Sequence, residues 1–316
     1  PASVSETVLS ALVQDGTYTN IYSGTNLAMI PTAPFTNSWW YRKEFVLTRG
    51  QSAENAELIF EGINYRANIW LNGKRIADEE HAFGAFRIFS FNVTGKIRSG
   101  TNVLAVEVFP PQPGDFTMGF VDWNPTPPGH ETGLFRPVKL HFYKSVALEN
   151  VFVESKIDHR HWQDAQLTIH ADLSNPSSRE VETTLKGEIG HVSFSEKFTL
   201  PAGEKSSIVL TPEHHPGLKF KNAKLWWPWE LGQPYLYHLK LSALVDGKIS
   251  DTQKLRFGIR EVTDYINADG YRGYIINGKR ILIRGGGWAD ELLLRENERN
   301  LEAQIQYTKA MNLNAI

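Results

Sequence analysis

The sequence has no cysteine. That excludes a disulfide framework, a thiolate metal site and a thiol nucleophile. An excess of either charge is also missing. Lys and Arg number 33 against 35 Asp and Glu, a net charge of -2, so no electrostatic footprint points to nucleic acid or to an anionic membrane. Apolar runs fall far below the roughly 18 residues that a transmembrane helix needs. The ten His lack ligand-like spacing. His159, His161, His214 and His215 stand in polar loop or strand-edge stretches and read as surface or structural groups. Gly285-Gly286-Gly287 lacks the Lys-Ser/Thr of a phosphate-binding loop. Neither a cofactor nor a metal is expected. The chain begins with Pro and shows no signal peptide, as a processed form or a cut segment would.

What is present is an ordinary globular composition, 41% hydrophobic and 22% charged, with abundant aromatics. The length of 316 residues suggests two to three domains. Residues 1–145 read as a β-sandwich of jelly-roll type. Ser5 is the expected N-cap of a short helix carrying Val8, Leu9, Leu12 and Val13, stopped at Gly16. Strand patterns follow at 39–47, 56–60, 66–71, 86–92, 102–108 and 137–142, and Asn72-Gly73 marks a two-residue hairpin. Residues 146–262 offer about seven strands, the immunoglobulin-like count. They are 146–154, 165–174, 181–189, 192–200, 206–210, 235–244 and 248–257.

Residues 263–316 change period. A second Asn-Gly hairpin at Asn277-Gly278 leads to an apolar strand, Ile281-Leu282-Ile283, and then to a Gly-rich loop. A helix is expected over about 297–312, with Leu301, Ile305, Thr308 and Met311 on one face. Leu313-Asn314-Ala315-Ile316 then opens another strand. This is one strand-loop-helix-strand unit of a parallel α/β fold. A TIM barrel needs eight such units and about 200 or more residues. The expectation is an incomplete barrel, its remainder acting as the partner of this segment.

The order of sandwich, immunoglobulin-like module and barrel resembles glycoside hydrolase family 2, and several motifs strengthen the likeness. The stretch Phe60 to Lys74 resembles the strand and hairpin of the family's so-called sugar-binding domain, and Asn102 to Val108 its following strand. Thr132-Gly133-Leu134-Phe135-Arg136-Pro137-Val138 resembles that domain's closing segment. Leu225-Trp226-Trp227-Pro228-Trp229 with Gly232 to Tyr237 resembles the second module, and 257–262 and 276–279 resemble the barrel entry. Within the family, Arg284-Gly285-Gly286-Gly287-Trp288 and Val121-Asp122-Trp123-Asn124-Pro125 resemble the exo-β-glucosaminidases that act on chitosan oligomers and the related β-mannosidases.

That resemblance implies a retaining exo-β-glycosidase working on an oligosaccharide. Two Glu, on barrel strands four and seven, would stand about 5 Å apart across the scissile bond. Neither position lies in this sequence, so no catalytic residue is expected here and the chain alone is expected to be inactive. A non-catalytic carbohydrate-binding or scaffold protein of two β modules is the alternative.

Candidate substrate contacts are Asp122 and Trp123 in a Pro-rich loop, and Trp288, Asp290 and Glu291 after the first barrel strand. A carboxylate accepts hydrogen bonds from vicinal sugar hydroxyls, and an indole stacks on a sugar's C–H face. The resemblance implies that the Asp122 loop reaches the barrel mouth. The competing reading makes Asp122, Asp290 and Glu291 turn formers and Trp123 a packing residue. Arg284, at a strand end, supports either a catalytic carboxylate or a structural one. Trp226, Trp227 and Trp229 read as packing.

Overall fold

The computed structural model describes residues 6–119, 125–295 and 298–316. The chain divides into two compact units. One comprises Pro1–Phe142 with Ala289–Leu301, the other Tyr143–Trp288 with Glu302–Ile316.

The first unit opens with β1 (Glu6–Thr7) and α1 (Val8–Gln14). The helix is capped by Thr7, whose side chain accepts from Ser10 N at 3.2 Å. Ser5, the expected cap, lies outside the described residues. Gly16 ends the helix at φ +83°, with Thr17 N donating to Leu12 O at 3.0 Å. Then come β2 (Trp39–Leu47), the single turn α2 (Arg49–Ser52), β3 (Asn55–Phe60), β4 (Arg66–Leu71), β5 (Lys74–Ala77), β6 (Phe89–Asn92), β7 (Gly100–Phe109), β8 (Gly133–Leu134) and β9 (Val138–Tyr143).

Two antiparallel sheets form, ordered β2-β7-β4-β5 and β6-β3-β9, while β1 pairs with β8. Side chains alternate as the period of two requires. Leu58 and Phe60, Ala67, Ile69 and Leu71, and Leu104, Val106 and Val108 are buried in one core. Asn72 and Gly73 take φ +53° and +79°, the left-handed pair of a tight hairpin joining β4 to β5.

The second unit holds β10 (Ala147–Asp158), β11 (His161–Ser174), β12 (Val181–Ile189), β13 (Val192–Leu200), β14 (Lys205–Leu210), β15 (Lys219–Phe220), β16 (Tyr237–Val245) and β17 (Lys248–Phe257). The sheet β10-β11-β14, with β15 added on β11, and the sheet β13-β12-β16-β17 enclose a core that includes Leu167, Ile169, Leu185, Leu239 and Leu241. The chain is a mainly β protein whose sheets remain open, as the sequence pattern implies.

A three-stranded antiparallel sheet follows, made of β18 (Val262–Ile266), β19 (Arg272–Ile276) and β20 (Lys279–Ile281). The expected apolar strand over 281–283 is displaced. Asn277 and Gly278, at φ +47° and +78°, turn the chain so tightly that Lys279 falls opposite Ile276, and 279–281 pair with β19. Leu282 and Ile283 stay exposed. The parallel contact occurs further on, as a single bridge between Gly285 and Ala315. Between them runs α3 (Glu298–Ala310), and no side chain of it is buried.

Candidate functional site

Of the residues singled out by sequence, Asp122 and Trp123 lie outside the described residues. Of the others, Glu291 belongs to a network in the first unit and Arg284 to one in the second.

In the first unit the segment after Ala289 is held by Glu291. Its Oε1 accepts from Tyr22 Oη at 2.5 Å and Arg295 Nη2 at 2.9 Å. Its Oε2 accepts from the backbone N–H groups of Leu293 and Arg295, both at 3.1 Å. Arg295 Nη2 also donates to Tyr22 Oη at 2.8 Å. Partial burial pushes the Glu291 carboxyl up, but the hydrogen bonds from Arg295 and Tyr22 outweigh it and hold the group below its ordinary range. The Tyr22 hydroxyl is pushed up to about 12, by burial first and then by Glu291. A carboxylate offers about four lone-pair sites, and these donors occupy them. Glu291 is thus bound up in fixing its own loop. Its neighbour Asp290 is exposed and makes no side-chain hydrogen bond or ion pair to the described residues.

Beneath this loop Leu293 is fully buried among Val8, Leu9, Ile21 and Phe35. Glu131 is buried with it, at 1% exposure. Neither carboxyl oxygen of Glu131 meets a hydrogen-bond partner among the described residues. Burial pushes this carboxyl up to about 8, and the negative charge of Glu291 adds to the rise. The nearby Thr7 hydroxyl offsets only part of it, since it donates to Leu293 O at 3.4 Å.

In the second unit Arg284 follows β20. Its Nε donates to Asn312 O at 2.9 Å, and its Nη2 pairs with Glu230. Glu230 Oε1 also accepts from Asn314 Nδ2 at 2.6 Å, while Asn314 Oδ1 accepts from Arg284 N at 2.8 Å. Asn314 N in turn donates to Arg284 O at 2.8 Å. The carboxylate that Arg284 holds is therefore Glu230 of this same chain. Trp229 Nε1 donates to Leu313 O at 3.0 Å, tying the next residue along to the same corner. Trp288 is 48% exposed, with its indole N–H on Gln304 Oε1 at 2.5 Å. Trp226 and Trp227 lie under Arg260 and Lys279, at 4.6 and 4.8 Å, and pack within the unit.

Sequence reasoning passed over Tyr22, Glu131, Glu230 and Arg295. Arg295 carried a signal in its spacing of four from Glu291, which suits an ion pair on one turn. Tyr22 carried none.

The comparisons bear on the whole chain. Residues 1–114 match the family model "Glycosyl hydrolase 2 galactose-binding domain-like", and residues 146–260 match "Glycosyl hydrolases family 2". An exo-β-D-glucosaminidase of Streptomyces avermitilis is 36% identical over 100% of this chain and 35% of its own length. One from Amycolatopsis orientalis is 33% identical over 100% of this chain and 30% of its length. The crystal structure of the Amycolatopsis orientalis exo-chitosanase superposes with a TM-score of 0.93 at 32% identity, covering 99% of this chain and 36% of that one. The chain spans about a third of the length of the curated relatives it matches. With both β modules matched in order and relatives aligned along the whole of this chain, the chain belongs to glycosyl hydrolase family 2.

Proposed function

We propose that this chain is the N-terminal portion of a retaining exo-β-D-glucosaminidase that trims chitosan oligosaccharides. On this reading residues 1–145 are the sugar-binding-type sandwich, 146–262 the immunoglobulin-like module and 263–316 the start of the catalytic barrel. The observation that carries it is the 36% identity to the Streptomyces avermitilis exo-β-D-glucosaminidase over the whole of this chain. The parallel bridge between Gly285 and Ala315, spanned by a helix with no buried side chain, supports the barrel reading, because such a unit needs neighbours to cover it. The catalytic Glu pair belongs to the rest of the protein.

The proposed contributions of this chain are contacts to the terminal sugar. Asp122 and Asp290 accept from hydroxyl or ammonium groups, and Trp123 and Trp288 offer ring faces. Glu291 and Arg284 contribute by holding the segments that carry Asp290 and Trp288. A β-mannosidase is the second reading, favoured by the superposition on the Dictyoglomus thermophilum β-D-mannosidase at a TM-score of 0.79 and 26% identity.

The test uses the parent polypeptide with aryl β-D-glucosaminide and aryl β-D-mannoside, following the anomer first released by NMR. Glucosaminide hydrolysis with retention is expected. A preference for the mannoside, or inversion, would discard the reading. In the same protein Asp122→Asn removes a charge-assisted hydrogen bond of about 1.5–3 kcal/mol, or roughly one to two decades in kcat/KM, at nearly constant Tm. A lower Tm with kcat/KM intact would make Asp122 structural.

A further inference from the structure

The register of the four-stranded sheet β2-β7-β4-β5 sorts its side chains onto two faces. Leu104, Val106 and Val108 of β7 point into the core. The opposite face carries residues that a bare structural surface does not need. Trp40 stands opposite Glu107, which in turn stands opposite Asn68; Ala105 stands opposite Trp70. Because Ala105 is small, the two indoles meet across it, stacked with ring centroids 5.0 Å apart. Trp40 remains 58% exposed. Two stacked indoles on three paired strands make an aromatic platform.

Beside the platform runs a groove of about 520 Å³ whose lining includes Ser38, Arg66, Glu79, Glu80, Phe83 and Phe109. Platform and groove join at Glu107, which accepts from Ser38 Oγ at 2.9 Å and from Asn68 Nδ2 at 3.0 Å. Cations also stand here: Arg75, opposite Trp70, reaches Asp78 at 3.9 Å, and the other two are paired more closely. Arg66 makes a two-armed pair with Asp115, at 2.6 Å on each arm, and Arg42 pairs with Glu44 at 2.6 Å. Glu79, Glu80 and Glu107 form no ion pair among the described residues. The face therefore combines an aromatic platform, flanked by Arg42 and Arg75, with a groove rim where Glu79, Glu80 and Glu107 stand outside any ion pair among the described residues, and that rim is complementary to the ammonium groups of a sugar chain.

We propose that this outer sheet face is a second carbohydrate-binding surface, one that takes a β-linked chain of glucosamine units. A ring stacks on Trp40, and the ammonium groups of neighbouring units lie against Glu107, Glu79 and Glu80. The choice of a cationic sugar rests on the function proposed above. The surface itself rests on the platform and the charge.

The nine Trp make the test direct. The 316-residue chain is labelled with 5-fluorotryptophan and titrated by fluorine NMR with the β-1,4-linked glucosamine hexamer. The N-acetylglucosamine hexamer and cellohexaose serve as comparators. Saturable shifts are expected at the Trp40 and Trp70 resonances, with Kd rising at least about fivefold for either neutral hexamer and rising with salt. Trp40→Ala abolishes the Trp70 shift, and Trp40→Phe keeps part of it. The double substitution Glu79→Gln, Glu80→Gln, at exposed groove positions, weakens binding about fivefold and flattens the salt dependence.

Shifts confined to Trp229 or Trp288, or no saturation by about 10 mM, would overturn the proposal. Equal binding of cellohexaose would overturn its cationic part. Hydrolysis of an aryl glucosaminide by the parent polypeptide is measured separately. Activity without binding here removes the surface alone, and binding here without activity removes the proposed function alone.

Discussion

Replacing Glu131 by Gln tests whether the floor of the Glu291 loop is as dry as its burial implies. Glu131 is 1% exposed, neither of its carboxyl oxygens has a partner among the described residues, and burial pushes it up to about 8 from 4.5. The folded state therefore keeps a proton that the unfolded chain gives up. Below about pH 4.5 both states are protonated and the group has no effect on stability. Between 4.5 and 8 the unfolded state is the charged one, so stability falls as pH rises. Above 8 both are charged and the loss levels off. A rise of about 3.5 units at 1.36 kcal/mol each sets a ceiling of about 5 kcal/mol on that loss. Glu131→Gln keeps the shape and removes the titration, so its stability has no such slope. The assay is denaturant unfolding from pH 5 to 9, with hydrogen exchange on β4 and β7 peptides to report the first unit specifically. The variant should overtake the wild type by several kcal/mol at pH 8. Parallel stability curves for the two proteins would refute the reasoning, since they would mean that Glu131 ionises in the folded state as easily as in the unfolded one.

Two further substitutions probe the second unit. Glu230→Ala deprives Arg284 and Asn314 of their shared carboxylate. With both side chains of the ion pair partly exposed, the expected cost is about 1–3 kcal/mol, read as faster exchange of the Asn314 and Ala315 amides while β12 and β16 keep their protection. Unchanged exchange there would show that the bridge does not depend on Glu230. Gly278→Ala places a Cβ 2.7 Å from the Trp162 ring at a φ of +78°, and a loss of about 1–3 kcal/mol is expected in denaturant melts. A neutral result would mean that the hairpin relaxes away from Trp162.

The sandwiches were legible because their signals are local. β12, β13 and β17 run over the residues that the apolar alternation marks, and each is bounded by a turn whose residues tolerate positive φ, such as Gly190 and Asp246-Gly247. β5 was not legible. Lys74–Ala77 has one β-branched residue and becomes a strand because Asn72-Gly73 folds it onto β4. Expecting a strand over 281–283 failed for a related reason. Apolar content marks a segment as able to pair but does not name its partner, and the turn at Asn277-Gly278 assigned 279–281 to β19 first.

The same distinction applies to the carboxylates. Asp290 and Glu291 are adjacent, both carboxylates and both placed after a strand, so sequence gives no ground for separating them. Their roles divide on what reaches them. Glu291 meets Tyr22 from 269 positions away and Arg295 from the next turn, and these bonds consume its acceptor capacity; Asp290 keeps its own. Arg284 likewise found its carboxylate 54 positions upstream, in a Trp-Trp-Pro-Trp-Glu segment that sequence marks only as packing. A carboxylate saturated by its own chain is a poor sugar ligand, because a hydroxyl must displace a donor that is already charge-assisted. Among the described residues, Asp290 at the loop, and Glu79 and Glu80 beside the Trp40 platform, have no such donor to displace.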